Sequence, residues 1–125
     1  RIMSVLGRSN KLYYRTEMTA PILLDRAAMH HPNGEILTYL GDGKCHVTTY
    51  RMHRIRVRKL QWALTNRGFT QSDVIGTFMW NNARHLQIYH TVPCMGCILH
   101  TINIRLHPEK LTYIIRHAED KAIFV

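Results

Sequence analysis

His90, Cys94, Cys97 and His100 stand together in the stretch HTVPCMGCILH. Two imidazoles and two thiols are the ligand types that zinc prefers. A C-x-x-C pair can also form a dithiol redox centre. Each chemistry makes a further demand. A structural zinc site takes its second ligand pair from a distance, so that a loop closes around the ion. Here all four candidates straddle the end of one helix and the start of the next strand. A redox pair should open a helix, where the dipole lowers the thiol pKa, and this pair closes one. The favoured reading is that both cysteines are small buried hydrophobes.

Other chemistry is as sparse. Arg51, Arg54, Arg56, Arg58 and Lys59 share one helical stretch, as in a nucleic-acid reader. No RNP-type aromatic pair, GxxG clamp or zinc finger accompanies them, so a solvated helix face is favoured. Gly41 and Gly43 lie in a turn, and neither a P-loop nor a G-x-G-x-x-G is present. No G-x-S-x-G elbow gives a serine nucleophile context. Asp25, Glu35, Asp42, Asp73 and Glu109 are scattered, and no pair stands out as acid and base.

The elements explain the spacing. Thr19 and Pro21 open a helix through AAMHH, ended by Pro32 and Gly34. EILTYL and CHVTTY flank GDGK and predict a β-hairpin. A long helix follows from Thr49 to Gly68. Val57, Leu60, Ala63 and Leu64 form its apolar stripe, Met52 and Ile55 flank it, and Arg51, Arg54 and Arg58 face away. VIGTFMW is apolar enough for a buried parallel strand. NNARHLQIYHTVPCMG predicts a helix with Leu86, Tyr89 and Pro93 near one face and Pro93 at its end or kink. CILHTI is a further strand. Leu106 to His117 predict a third long helix, with Leu111, Ile114 and Ile115 inward, and AIFV begins a buried central strand. The fold class is α/β: a hairpin followed by β-α-β-α-β with parallel strands and right-handed crossovers.

Whole-chain properties set the bounds. The 125 residues allow one domain, and 46% hydrophobic residues argue against disorder. Seventeen Lys and Arg against eight Asp and Glu give a net charge of +9, which draws nucleic acid, anionic lipid or acidic substrates. No apolar run is long enough for a transmembrane helix. Three cysteines are an odd number and fit a reducing, intracellular compartment. Residues 1–19 show no clean period. Because AIFV has no covering crossover after it, the chain reads as an amino-terminal portion cut inside a central strand.

The ordered run WNNARHLQIY, VPCMG, ILHTIN, RL and HAED, with LLDRAA and HVTTY upstream, resembles the amino-terminal region of AMP-forming (adenylate-forming) acyl-CoA synthetases. The likeness is to fatty-acid–CoA ligases of the medium- to long-chain type. It spans about residues 20–125, an amino-terminal fragment of the three-layer AMP-binding domain, and residues 1–19 match poorly. Such enzymes carry small residues where Cys94 and Cys97 stand, and often a histidine where His100 stands. The chain departs from their pattern at Ile104, where proline is usual, and at Met52, where an acidic residue is common.

The resemblance implies a two-step reaction. A carboxylate attacks the α-phosphate of ATP with Mg2+ bound, giving an acyl-adenylate and pyrophosphate, and coenzyme A then displaces AMP. The phosphate loop, the ribose aspartate and the mobile lysine of that family lie downstream of this region. No catalytic, cofactor-binding or metal residue is therefore assigned here. The segment is expected to supply scaffold and a homodimer contact, to be inactive alone, and to have the remainder of the ligase as partner. The expected compartment is cytoplasm, mitochondrion or peroxisome. Two other readings remain: a fragment of an aryl- or short-chain acyl-CoA ligase, and a stand-alone basic module that binds nucleic acid or anionic membrane.

Overall fold

The computed structural model of the chain describes residues 19–125; expectations for residues 1–18 fall outside the described residues. Helix α1 (Ala20–His30) carries Pro21 in its first turn, where no backbone N–H is required. Strands β1 (Glu35–Gly41) and β2 (Lys44–Thr49) pair antiparallel, with Leu37 opposite Val47 and Tyr39 opposite Cys45. Gly41, Asp42 and Gly43 have φ of 95°, 49° and 72°. Three successive left-handed residues explain why glycine occupies two of these positions.

Helix α2 (Tyr50–Asn66) starts at Thr49, whose hydroxyl accepts the Met52 N–H at 3.3 Å. Val57 and Leu64 are buried as the stripe predicts, and Leu60 and Ala63 are half-buried. The stripe also extends one turn earlier to His53, which is only 2% exposed. Arg54 and Arg58 do not simply face water: both grip Asp25 of α1.

Strand β3 (Val74–Thr77) is the centre of a three-stranded parallel sheet. Strands β4 (Ile98–Thr101) and β5 (Ala122–Phe124) lie on either side of it. Helix α3 (Ala83–Cys94) joins β3 to β4, and α4 (Pro108–Ala118) joins β4 to β5. Because β4 and β5 flank β3 on opposite sides, right-handed crossovers send α3 and α4 to opposite faces. The core packs Leu64, Ile75, Ile88, Val92 and Cys97 together, with Leu60, Phe69 and Leu99 against them.

Two expectations need correction. The inward face of α3 is Ala83, His85, Ile88, Thr91 and Val92, whereas Tyr89 is largely exposed and Leu86 and Pro93 are half-buried. The face turned because His85 anchors the first helical turn to the sheet. Helix α4 begins at Pro108 rather than Leu106 and buries no residue fully; Leu111, Ile114 and Ile115 are half-buried. Among the described residues, β5 lies at one edge of the three-stranded sheet, with Ala122, Ile123 and Phe124 half-buried.

Gly76 lies mid-strand in β3, and a methyl group there would sit 3.1 Å from Ile123 and 3.2 Å from the Asp120 carboxylate. The Asp120 side chain is fully buried and held by His100, so it cannot withdraw freely. Gly76→Ala is expected to destabilise the chain by about 1–3 kcal/mol, as overpacking does. A urea melt of the variant checks this.

Candidate functional site

The chain after β3 turns to one face of the sheet, and the chain after β4 turns to the other. In open parallel sheets this divergence opens a crevice beyond the carboxyl ends of the strands, and ligands bind there. A crevice of about 320 Å3 occupies that place. Trp80 and Asn81 enter it from the first loop, Asn103 and Arg105 from the second, and His85 and Tyr89 from α3. An adjoining hollow of about 230 Å3 shares Asn81, His85 and Tyr89.

Each wall has a local cause. The Asn82 side chain caps α3, accepting the Arg84 N–H at 2.9 Å and the His85 N–H at 3.0 Å. That cap starts the helix early enough to place His85 over the sheet, where its Nε2 meets the Thr77 hydroxyl at 3.0 Å. The His85 ring then meets Tyr89 edge-on, with centroids 5.1 Å apart. In the second loop, Asn103 accepts the Arg105 N–H at 2.9 Å. The Ile102 N–H bonds the Thr77 carbonyl at 2.9 Å and ties that loop to the end of β3. Trp80 remains 67% exposed.

The crevice therefore offers two amides, an imidazole, a phenol, a guanidinium and an indole. No carboxylate lines it. Such a surface suits an anion that carries a flat or apolar portion. It presents no carboxylate, the side chain through which Mg2+ is usually bound.

The four residues of HTVPCMGCILH go separate ways. His90 Nδ1 pairs with His53 Nε2 of α2 at 2.8 Å. The Cys97 thiol is buried and donates to the Thr70 carbonyl at 3.2 Å. His100 Nδ1 meets the Asp120 carboxylate at 2.8 Å. Burial pushes the thiols of Cys94 and Cys97 above their usual pKa, which leaves them poor nucleophiles. No three His, Cys, Asp or Glu converge as a metal cage among the described residues. The scattered acids also find partners: Asp25 holds Arg54 and Arg58, and Asp73 holds Lys121 at 2.7 Å.

Residues 24–125 match the family described as AMP-binding enzyme. The chain belongs to the AMP-binding enzyme family. A 3-methylmercaptopropionyl-CoA ligase of Ruegeria lacuscaerulensis is 42% identical over 111 residues, which cover 86% of this chain and 21% of that protein. A medium-chain-fatty-acid–CoA ligase of Ectopseudomonas oleovorans is 38% identical, with 89% and 20% covered. The chain thus spans about a fifth of the length of the curated relatives it matches. The fatty acyl CoA synthetase of Mycobacterium tuberculosis superposes with a TM-score of 0.73 at 18% identity, covering 84% of this chain and 20% of that one. An anthranilate CoA ligase bound to anthranoyl-AMP gives 0.75 at 21% identity, covering 90% and 20%. The α/β fold is that of the amino-terminal region of these enzymes.

In this member of the AMP-binding enzyme family, two side-chain pairs are not signalled by the spacing of the sequence. His53 sits where the apolar stripe of α2 calls for a hydrophobe, and its partner His90 reads in the sequence only as a zinc candidate. His100 and Asp120 meet across Gly76, and the Asp120 side chain is fully buried. A glycine inside the apolar run VIGT was the available signal.

Burial, with His90 and Arg56 nearby, holds the His53 pKa down to about 4, and burial lowers that of His90. Both are below the unfolded value of 6.5, so the unfolded chain binds these protons more readily. Stability is complete above about pH 6.5 and falls as pH drops towards 4. Asp25 and Asp73, held below 3.8 by their cationic partners, act only at more acidic pH. Urea midpoints measured from pH 7 to pH 4.5 should decline, and His53→Gln should flatten that decline. A slope unchanged in the variant would place the protons elsewhere.

Proposed function

We propose that the chain is the amino-terminal part of a fatty-acid–CoA ligase, which joins a fatty acid to coenzyme A at the expense of ATP and releases AMP and pyrophosphate. The observation that carries this reading is the sequence likeness. Relatives at 38–42% identity are named as ligases of medium-chain fatty acids, long-chain fatty acids and 3-methylmercaptopropionate. A trans-cinnamate:CoA ligase of Petunia hybrida stands at 29%, which makes an aryl substrate the weaker alternative.

Within that enzyme, the segment supplies scaffold and one wall of the substrate site. The crevice beyond β3 and β4 takes an anionic part of a substrate, with Arg105 and the two amides as donors and Trp80 as a flat apolar surface. ATP and coenzyme A are substrates of the whole protein. Mg2+ accompanies ATP in the whole protein. The remainder of the ligase is the principal partner. Leu37, Tyr39 and Val47 share one exposed face of the hairpin, and that face serves either the remainder of the chain or a homodimer. No helix among the described residues is long and apolar enough to cross a membrane. The working compartment is the cytoplasm, a mitochondrion or a peroxisome.

The segment alone is expected to be inactive. ATP–pyrophosphate exchange driven by a medium- or long-chain fatty acid should be absent from the 125-residue chain and present in a chain that continues into the rest of the ligase. Exchange by the short chain alone, or benzoate preferred over decanoate by the longer one, would sink this reading.

A further inference from the structure

We propose that a cavity between the hairpin and the amino end of α3 binds a small soluble organic phosphate. The cavity holds about 460 Å3, a size that suits a small molecule. Thr38 and Leu40 enter it from β1, His46 from β2, Arg56 from α2, and Asn82 and Arg84 from the start of α3. Thr38 lies directly opposite His46 in the hairpin, so the two share one face of it. The Gln87 side chain donates to the Arg56 carbonyl at 3.3 Å, which holds α2 against α3 beside the cavity.

The polar wall is built of donors. No carboxylate lines it, and neither Arg56 nor Arg84 has an ion-pair partner among the described residues. The Thr38 hydroxyl accepts the Ala83 N–H at 2.8 Å, and its own hydrogen is left for a ligand. The Asn82 Oδ1 accepts the N–H groups of Arg84 and His85, which leaves the Nδ2 hydrogens to donate. The first N–H groups of α3 are thereby taken, so side chains make the site and the helix end does not. Two guanidiniums on one cavity repel each other, and an anion between them removes that cost. A carboxylate carries one charge for two cations, whereas a phosphate dianion matches both, and its oxygens fit the guanidinium fork. Phosphate alone would fill only part of the space. Leu40 and the arginine stems give an organic substituent its apolar wall. The cavity shares no lining residue with the crevice that holds Arg105, and this inference does not rest on the ligase reading.

The test is isothermal titration of the 125-residue chain with phenyl phosphate, with inorganic phosphate and benzyl alcohol as comparison ligands. We expect one phenyl phosphate bound per chain, weaker binding of inorganic phosphate, and none of benzyl alcohol. Arg56→Gln and Arg84→Gln should each weaken phenyl phosphate by roughly tenfold or more, as loss of a charge-assisted hydrogen bond does, with the melt unchanged. Leu40→Ser should bring phenyl phosphate down to the affinity of inorganic phosphate. Arg51→Gln removes the same charge outside the cavity and Arg105→Gln removes it from the crevice, and both should bind as the parent chain does. No saturable binding, or binding indifferent to Arg56→Gln and Arg84→Gln, would overturn the proposal. Equal weakening in Arg51→Gln would assign the effect to diffuse charge, and weakening confined to Arg105→Gln would assign the ligand to the crevice; either result overturns it as well.

Discussion

A four-residue strand has to satisfy two different layers at once. In β3, Ile75 and Thr77 face α2 and α3, while Gly76 faces the opposite side. Ile75 is fully buried in the core. Thr77 holds His85 with its hydroxyl and Ile102 with its carbonyl. Gly76 leaves the space in which His100 reaches Asp120. Parallel pairing on both sides of β3 then fixes where the two loops leave the sheet, and so where the crevice opens. Adding side-chain volume at Gly76 or removing the Thr77 hydroxyl disturbs both faces together.

The polar groups near this strand are matched with care. No buried side-chain nitrogen or oxygen lacks a hydrogen-bond partner among the described residues. Leaving a buried polar group without a partner costs about 1–3 kcal/mol, so pairs such as Thr77–His85 and His100–Asp120 constrain the fold as firmly as the apolar contacts do. The basic surface is arranged differently. On α2, Arg54 and Arg58 are tied to Asp25, while Arg51, Arg56 and Lys59 are exposed. The interior is neutralised while the outward face of α2 keeps its charge.

Much of the framework was legible in the sequence because local rules and burial agree there. The hairpin register follows from GDGK between two alternating runs, and VIGT is the central strand that its apolar character predicts. The inward face of α3 departs from its hydrophobic pattern, which favours Leu86 and Tyr89, because a cap and a hydrogen bond put His85 inward. The cysteine pair attracted attention by spacing, yet its side chains serve packing and a single carbonyl contact. The crevice was not legible at all. Its residues come from separate loops and one helix, and they meet only because the strand order reverses at β3. No spacing rule reports that.

The crevice is also where the fold and the proposed chemistry meet. Arg105 provides its guanidinium, and no ion-pair partner for it appears among the described residues. The most direct measurement is the steady-state kinetics of Arg105→Ala in the longer chain proposed to be the ligase, with each substrate varied in turn. At least a tenfold fall in kcat/KM for one anionic substrate is expected, since a charge-assisted hydrogen bond contributes about 1.5–3 kcal/mol, with the melting temperature unchanged. Wild-type kcat/KM for every substrate would contradict the account and return the crevice to the status of a surface fold.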